Sequence, residues 1–303
     1  MKTKSNKNMN AICFGEVLWD ILPTGKVAGG APMNAAIRLQ SFGISTKIIS
    51  KIGQDDNGGQ LLKILKDKFV DVSQIQVDAK IKTGEVLVTL DSNRIATYDI
   101  VIPSAWDKIE LNEENINLVK NSDIFVFGSL VCRDNISKST LYKLLPFAKH
   151  KIFDVNLRAP FYSFGLIVDL MNKSDFIKMN DEELIIIAVE LGSKYTSIEE
   201  NIKFISDKTN TQNICITKGK DGAVLFIENE FYHNNGFNVK VEDTVGAGDS
   251  FLAALIYKLQ TTNNYYDSLE FACAVGAMVA SHKGANPILD INEINNFIIT
   301  KNA

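Results

Sequence analysis

Excess charge of either sign is missing from this chain. Its 32 Lys and Arg against 36 Asp and Glu leave a formal net charge of −4, so electrostatics draw it neither to nucleic acid nor to an anionic membrane. The lysines between Lys63 and Lys68 alternate with apolar residues and read as a solvated helix face. Cysteine is sparse. Cys13, Cys132, Cys215 and Cys273 lie far apart in apolar contexts, which excludes a zinc pattern and a small disulfide scaffold. Buried free thiols in a reducing cytoplasm are expected. His150, His233 and His282 show no ligand spacing. The longest apolar helical stretch, Phe271 to Ala280, is too short and too rich in Ala and Gly to span a bilayer. Residues 1–10 are polar with no apolar segment, so no secretory leader is expected and they form a tail. No Gly-Lys-Ser/Thr follows a glycine loop and no Gly-x-Gly-x-x-Gly is complete. A Walker loop is therefore excluded, and a nicotinamide dehydrogenase is disfavoured.

What is present is a sizeable core and an alternating pattern. The 303 residues are 46% hydrophobic, and short apolar runs alternate with helix-period segments. That alternation predicts a mostly parallel sheet with helices on both faces. Core strands are expected at 11–15, 46–52, 124–128, 151–156, 175–179 and 213–217. Helices are expected at 33–42, 58–68, 138–148, 182–190, 198–209, 250–259 and 266–282. Two early hairpins break the alternation, 19–22 with 26–28 and 85–90 with 95–101, the second turning at Asp91-Ser92-Asn93-Arg94. They predict a small β-sheet lid, and a late hairpin, 223–227 with 231–233, extends the main sheet. The expected organisation is one domain over 11–300, with the lid drawn from about 17–28 and 83–103.

Two glycine motifs carry chemistry. Asp243-Thr244-Val245-Gly246-Ala247-Gly248-Asp249-Ser250-Phe251 places a tight turn before an Ala- and Leu-rich helix. Unpaired N–H groups and the helix dipole there make an anion site. Asp249 would repel that anion but can take a proton from a hydroxyl that attacks it, which suggests phosphoryl transfer to an alcohol. By itself such a motif also describes an ordinary helix cap. Far upstream, Gly29-Gly30-Ala31-Pro32-Met33-Asn34 opens another helix. Asn34 can both donate to and accept from a sugar hydroxyl. Asp20 suits vicinal hydroxyls, or serves as a turn residue before Pro23.

Gly15-Glu16-Val17-Leu18-Trp19-Asp20, then Gly29 to Ala36, then Ile52-Gly53-Gln54-Asp55-Asp56-Asn57-Gly58 resemble the N-terminal signature of the ribokinase-like (PfkB) carbohydrate kinases. The stretch from Asp243 to Phe251 resembles that family's C-terminal signature, and matches run in order from Gly15 to about Pro287. Gly-Gly-Ala-Pro-x-Asn together with Phe153-Asp154-Val155-Asn156-Leu157-Arg158 is most similar to the fructokinase branch.

The resemblance implies a three-layer α/β/α Rossmann-like domain with a β-sheet lid, ATP as phosphoryl donor, and Mg²⁺. It implies Asp249 as catalytic base, with the amides of Gly246, Ala247 and Gly248 as the anion hole. Asp20, Gly29, Gly30 and Asn34 would hold the sugar. Asn180 and Glu183 would organise Mg²⁺ and phosphate largely through water, although acidic helix starts are common. Thr217, Lys218, Gly219 and Gly222 would pass the nucleotide, with Lys218 on a phosphate or simply solvated. Asp243 would help hold a monovalent cation such as K⁺ with carbonyls near Val245, Val279, His282 and Gly284. Ile288 stands where some members carry a Ser ligand, which weakens the case for K⁺.

Arg158 has two readings: a substrate contact, or an ion pair with Asp154 on the same strand face. Arg94 on the hairpin turn is a weaker candidate of the same kind. Fructose is the expected substrate, with ribose, 2-keto-3-deoxygluconate and a nucleoside as alternatives. A non-catalytic sugar sensor would be expected to lose Asp249 or the glycine turn. A homodimer joined through the lids is expected, because bare strand edges invite pairing.

Overall fold

The computed structural model describes residues 9–23, 25–90 and 96–302. Thr24 and the predicted turn at 91–94, including Arg94, lie outside the described residues. In chain order the strands are β1 (Asn10–Phe14), β2 (Leu18–Leu22), β3 (Gly25–Gly29), β4 (Ser45–Gly53), β5 (Ile75–Asp78), β6 (Gly84–Leu90), β7 (Ala96–Ile100), β8 (Ile124–Gly128), β9 (Lys151–Asp154), β10 (Phe176–Asn180), β11 (Ile214–Thr217), β12 (Ala223–Ile227) and β13 (Glu230–Asn234). The helices are α1 (Ala31–Ser41), α2 (Asp56–Asp67), α3 (Glu113–Asn121), α4 (Asn135–Leu144), α5 (Phe164–Asn172), α6 (Asp181–Glu190), α7 (Ile198–Thr209), α8 (Ala247–Thr261), α9 (Tyr265–Ala280) and α10 (Ile291–Asn302).

Nine strands form the main sheet in the order β13-β12-β11-β10-β9-β8-β1-β4-β5. Pairing is parallel from β5 to β11 and antiparallel at β12 and β13. Strand sequences explain the layers. Along β1, Ala11 and Cys13 enter one core and Ile12 and Phe14 the other. Along β8, Ile124 and Val126 face the first core, Phe125 and Phe127 the second. A strand buried on both faces must read as a continuous apolar run. The first core packs α1, α2, α8, α9 and α10, and the second packs α3 to α7. The late hairpin turns through Glu228 (φ 53°) and Asn229 (φ 63°), the paired left-handed conformation that a two-residue turn needs.

A separate four-stranded sheet runs β3-β2-β6-β7. It branches from the main sheet between β1 and α1. Asn57, near the start of α2, ties down its base. The Asn57 carbonyl accepts from Trp19 Nε1 at 3.1 Å, and its side chain bridges Lys26 (2.6 Å) and Glu85 (2.7 Å). Asp55 caps α2 through Gly58 N–H at 2.8 Å and also accepts from Thr83, the residue before β6.

Candidate active site

The main sheet reverses direction of growth at β1, which lies between β4 and β8. Parallel α/β sheets bind ligands beyond the carboxyl ends of the strands at such a point. Both glycine motifs open there. Asn34 Nδ2 donates to Asp249 Oδ2 at 2.8 Å, across 215 residues of sequence. The two loops therefore share one crevice.

The first loop is shaped by close approach. Gly30 has φ 106°, and a Cβ there would lie 2.5 Å from the Glu16 carbonyl oxygen. A Cβ on Gly29 would lie 2.3 Å from Asp20 Oδ2. Glycine at 29 thus makes the space that the Asp20 carboxylate fills. Loss of hydration raises Asp20 to about 6, with the Arg158 charge opposing and the Asp243 charge adding to the shift. Asp20 on the small sheet therefore faces residues of the main domain.

The second loop is the turn before α8. Gly246 has φ 74°, and a Cβ would sit 2.4 Å from that of Ala285. Among the described residues, the N–H groups of Gly246, Gly248 and Asp249 have no backbone acceptor, whereas Ala247 N–H donates to the Thr244 carbonyl at 3.2 Å. The free donors are thus not the expected trio, because the turn that aims them engages Ala247. Asp243 clamps the loop: its oxygens accept from Val245 N–H and Gly284 N–H, both at 3.0 Å. Ile288 is 86% exposed.

Lys178 was invisible as a site residue in the sequence. It is only 4% exposed in the middle of β10, and its Nζ lies 3.3 Å from where a Gly248 Cβ would be. It pairs with Asp154 Oδ1 at 3.0 Å. Burial alone would lower its pKa, but Asp154, Glu183 and Asp249 outweigh that and raise it. A fixed cation thus backs the turn before α8. The one available signal was a lysine flanked by apolar residues in a strand.

Asp249 is half-buried. Burial raises it to about 6, the Asp154 charge pushes the same way, and Lys178, the Asn34 hydrogen bond and Arg158 pull back. Such a carboxyl is ionised at neutral pH yet basic enough to accept a proton. Glu16, 5% exposed, rises to about 7, chiefly by loss of hydration. Its Oε2 has no protein partner, nor has Asn156 Nδ2 or Asn286 Oδ1. Three of the six unpartnered buried side-chain atoms among the described residues therefore belong to segments bordering this crevice, as unsatisfied groups at functional sites do.

The possible Asp154–Arg158 pair does not form. β9 stops at Asp154, Asn156 adopts φ 43°, and the strand period no longer carries to residue 158. Arg158 is exposed, and its charge acts on Glu16, Asp20 and Asp249. Asn180 and Thr217 sit side by side at the ends of β10 and β11. Asn180 Oδ1 accepts from Glu183 N–H at 2.8 Å, and Glu183 returns the bond to Asn180 N–H at 2.9 Å. Its other oxygen accepts from Leu157 N–H at 2.7 Å. Glu183 is therefore a cap whose oxygens are both engaged, suited to a metal only through water. Lys218 N–H donates to the Gly222 carbonyl at 2.7 Å, closing the loop after β11. Gly222 is obligatory there, since a Cβ would lie 2.0 Å from the Asn234 carbonyl oxygen.

The profile of the pfkB family carbohydrate kinases matches residues 10–292. The chain is 30% identical over 307 residues to probable fructokinase-3 of Arabidopsis thaliana, covering 92% of this chain and 88% of that one. It is 30% identical over 302 residues to a fructokinase of Solanum tuberosum, covering 92% of each. Among solved structures, a Xylella fastidiosa fructokinase with bound ATP gives a TM-score of 0.85 at 20% identity, over 98% of this chain and 100% of that one. A Vibrio cholerae fructokinase bound to fructose, ADP and calcium gives 0.82 at 24% identity, over 96% and 100%. At those identities the structural likeness shows the ribokinase-type fold, and the sequence matches carry the family. The chain belongs to the pfkB family of carbohydrate kinases and is an ATP-dependent sugar kinase.

Proposed function

We propose that this enzyme phosphorylates the primary hydroxyl of a free sugar, fructose giving fructose 6-phosphate. The observation that carries the reading is the 2.8 Å bond between Asn34 and Asp249, because it joins a hydroxyl-binding loop to an anion-binding turn. Asp20, Gly29, Gly30 and Asn34 hold the sugar. Asp249 takes the hydroxyl proton as that oxygen attacks the γ-phosphate of ATP in line. The N–H groups of Gly246, Gly248 and Asp249, with Lys178 behind them, stabilise charge on the phosphate oxygens. Thr217, Lys218, Gly219 and Gly222 pass the nucleotide, and Asn180 lies beside them.

Magnesium fits the residues present. Among the described residues no three acidic, His or Cys side chains gather as a cage. Mg²⁺ keeps several waters and is held by one or two carboxylates and substrate phosphates, so Glu183 would hold it through water. When bound it supplies positive charge to the phosphate oxygens. Asp243 would be the one side chain in a monovalent-cation site otherwise made of carbonyls.

The small sheet serves as a lid over the sugar, and a homodimer joins through it, since its outer strands β3 and β7 pair on one side only among the described residues. Buried free thiols at all four cysteines fit a reducing cytoplasm, and no described helix is long and apolar enough to cross a membrane. Arg158, exposed and unpaired with Asp154, favours one second reading. It supplies the cation that a keto-acid sugar such as 2-keto-3-deoxygluconate requires. A panel of fructose, ribose, 2-keto-3-deoxygluconate and a nucleoside, with ATP and scored by ADP formation, decides between them. Highest kcat/KM on fructose supports the proposal, and preference for the keto acid that is lost in Arg158→Ala overturns it.

A further inference from the structure

We propose that Asn286 is a positioning residue for Asp249: its side-chain amide fixes the orientation of the Asn34 amide and so keeps one hydrogen-bond donor aimed at the carboxylate. Asn286 Nδ2 donates to Asn34 Oδ1 at 2.8 Å, and Asn34 Nδ2 donates to Asp249 Oδ2 at 2.8 Å. The three side chains form a directed chain. An ionised carboxylate only accepts, so Asn34 must present its NH₂ to Asp249. Its oxygen then faces Asn286, which must in turn present its own NH₂. The consequence is visible at the far end, where Asn286 Oδ1 is buried without a protein partner. A leucine of similar size would leave no such orphan, so what asparagine adds here is its donor.

The loop that carries Asn286 is held from both sides. Arg38 donates to the Pro287 carbonyl at 3.0 Å, and Gly284 N–H to Asp243 at 3.0 Å. Asn34 and Arg38 lie one turn apart on α1 and share a face, so α1 and this loop meet at two adjacent bonds. Arg38 also donates to Ser250 Oγ at 3.2 Å, next to Asp249 in the chain. The charged groups acting on Asp249 are Asp154, Lys178, Arg158 and Glu16. None of these bonds to Asn286. A change in Asp249 on substituting Asn286 with an uncharged residue is therefore not a direct charge effect, and the route of two bonds runs through Asn34.

The effect on turnover rests on the kinase reading, but the hydrogen-bonded chain does not. Two readouts keep them separate: the titration of the Asp249 carboxyl by ¹³C NMR of Asp-labelled protein, assigned with Asp249→Asn, and the pH dependence of kcat. In Asn286→Leu the Asn34 amide is free to turn, so the Asp249 titration should move up by about half to one pH unit. Near pH 6 kcat should fall roughly twofold to fivefold and recover by pH 8. In Asn286→Asp the new acceptor should claim the Asn34 NH₂, and the upward shift should be larger still. Should the leucine variant not fold, Asn286→Ala should give the same upward shift as the leucine was to give. An unchanged Asp249 titration in the folded uncharged variant, or a kcat lowered by one factor at every pH, overturns the proposal. Should the wild-type protein phosphorylate no sugar, the kinase reading falls while the carboxyl titration still decides the role of Asn286.

Discussion

Two helices, α1 and α8, start from glycines with positive φ and point their N-termini into the same crevice. What surrounds each start differs in charge. At α1, Pro32 removes one N–H near the first turn. The buried Glu16 carboxyl is held by the Ala31 N–H at the start of α1, and Asp20 lies against Gly29. Negative charge thus cancels the helix dipole, and the site suits neutral hydroxyls that can donate. At α8 the N–H groups of Gly246, Gly248 and Asp249 have no backbone acceptor among the described residues, and Lys178 stands behind them. Positive charge adds to the dipole, and the site suits an anion. On the proposed function, the same backbone device becomes a polyol grip or a phosphate cradle according to the buried charge behind it.

Asp249→Asn breaks the link between the two halves most severely. Loss of a general base costs about 10²–10⁴-fold in kcat, while sugar affinity, measured by calorimetry without nucleotide, should stay within a few fold. In the wild type, activity should fall as pH drops through about 6, where Asp249 gains its proton. Lys178→Met tests the cradle. Removing a charge aimed at the transferring group costs about 10²–10³-fold in kcat, with sugar affinity again kept. Because Asp154 would be left buried without its partner, Asp154→Asn should accompany it, and a double variant that turns over normally would remove Lys178 from the mechanism.

Gly30→Ala acts on the other half. A Cβ 2.5 Å from the Glu16 backbone, at φ 106°, forces the loop to move. Strain and overpacking of this kind cost about 2–4 kcal/mol of stability. Sugar KM should rise with ATP KM little changed, whereas the variants on the α8 side lose kcat and keep sugar affinity. Equal effects on both would show that the two loops do not bind separate ligands.

The fold was legible where burial is two-sided. Predicted strands at 11–15, 46–52, 124–128 and 213–217 fall within a residue or so of β1, β4, β8 and β11. Helices α3, α5 and α10 escaped. Phe164–Asn172 reads FGLIVDLMN, so apolar that no helical period stands out, and Glu113–Asn121 buries only Asn115 and Val119. Gly30, Gly219, Gly222 and Gly246 were legible because positive φ favours glycine. Lys178 was not, since its partner Asp154 lies on the neighbouring strand and only sheet register brings them together. Asn286 was not, because its role depends on a contact 252 residues away.

Glu16→Gln tests the smallest term, the charge that cancels the α1 dipole. Burial raises Glu16 from 4.5 to about 7, so the folded protein binds a proton that the unfolded chain has released in that window. Stability from the protonated form is fully present below about pH 4.5 and lost as pH rises through about 7. The linkage amounts to on the order of 3 kcal/mol above that range. Glutamine stays neutral but accepts hydrogen bonds through one oxygen, so the net gain at pH 8 should be about 1–2 kcal/mol. Urea midpoints at pH 5 and pH 8 read it directly: the wild type should weaken toward pH 8 by more than the variant does. If the midpoints of both proteins move in parallel, Glu16 is not held neutral by burial and its charge offsets the α1 dipole across the whole range from pH 5 to pH 8, rather than only as pH rises through about 7.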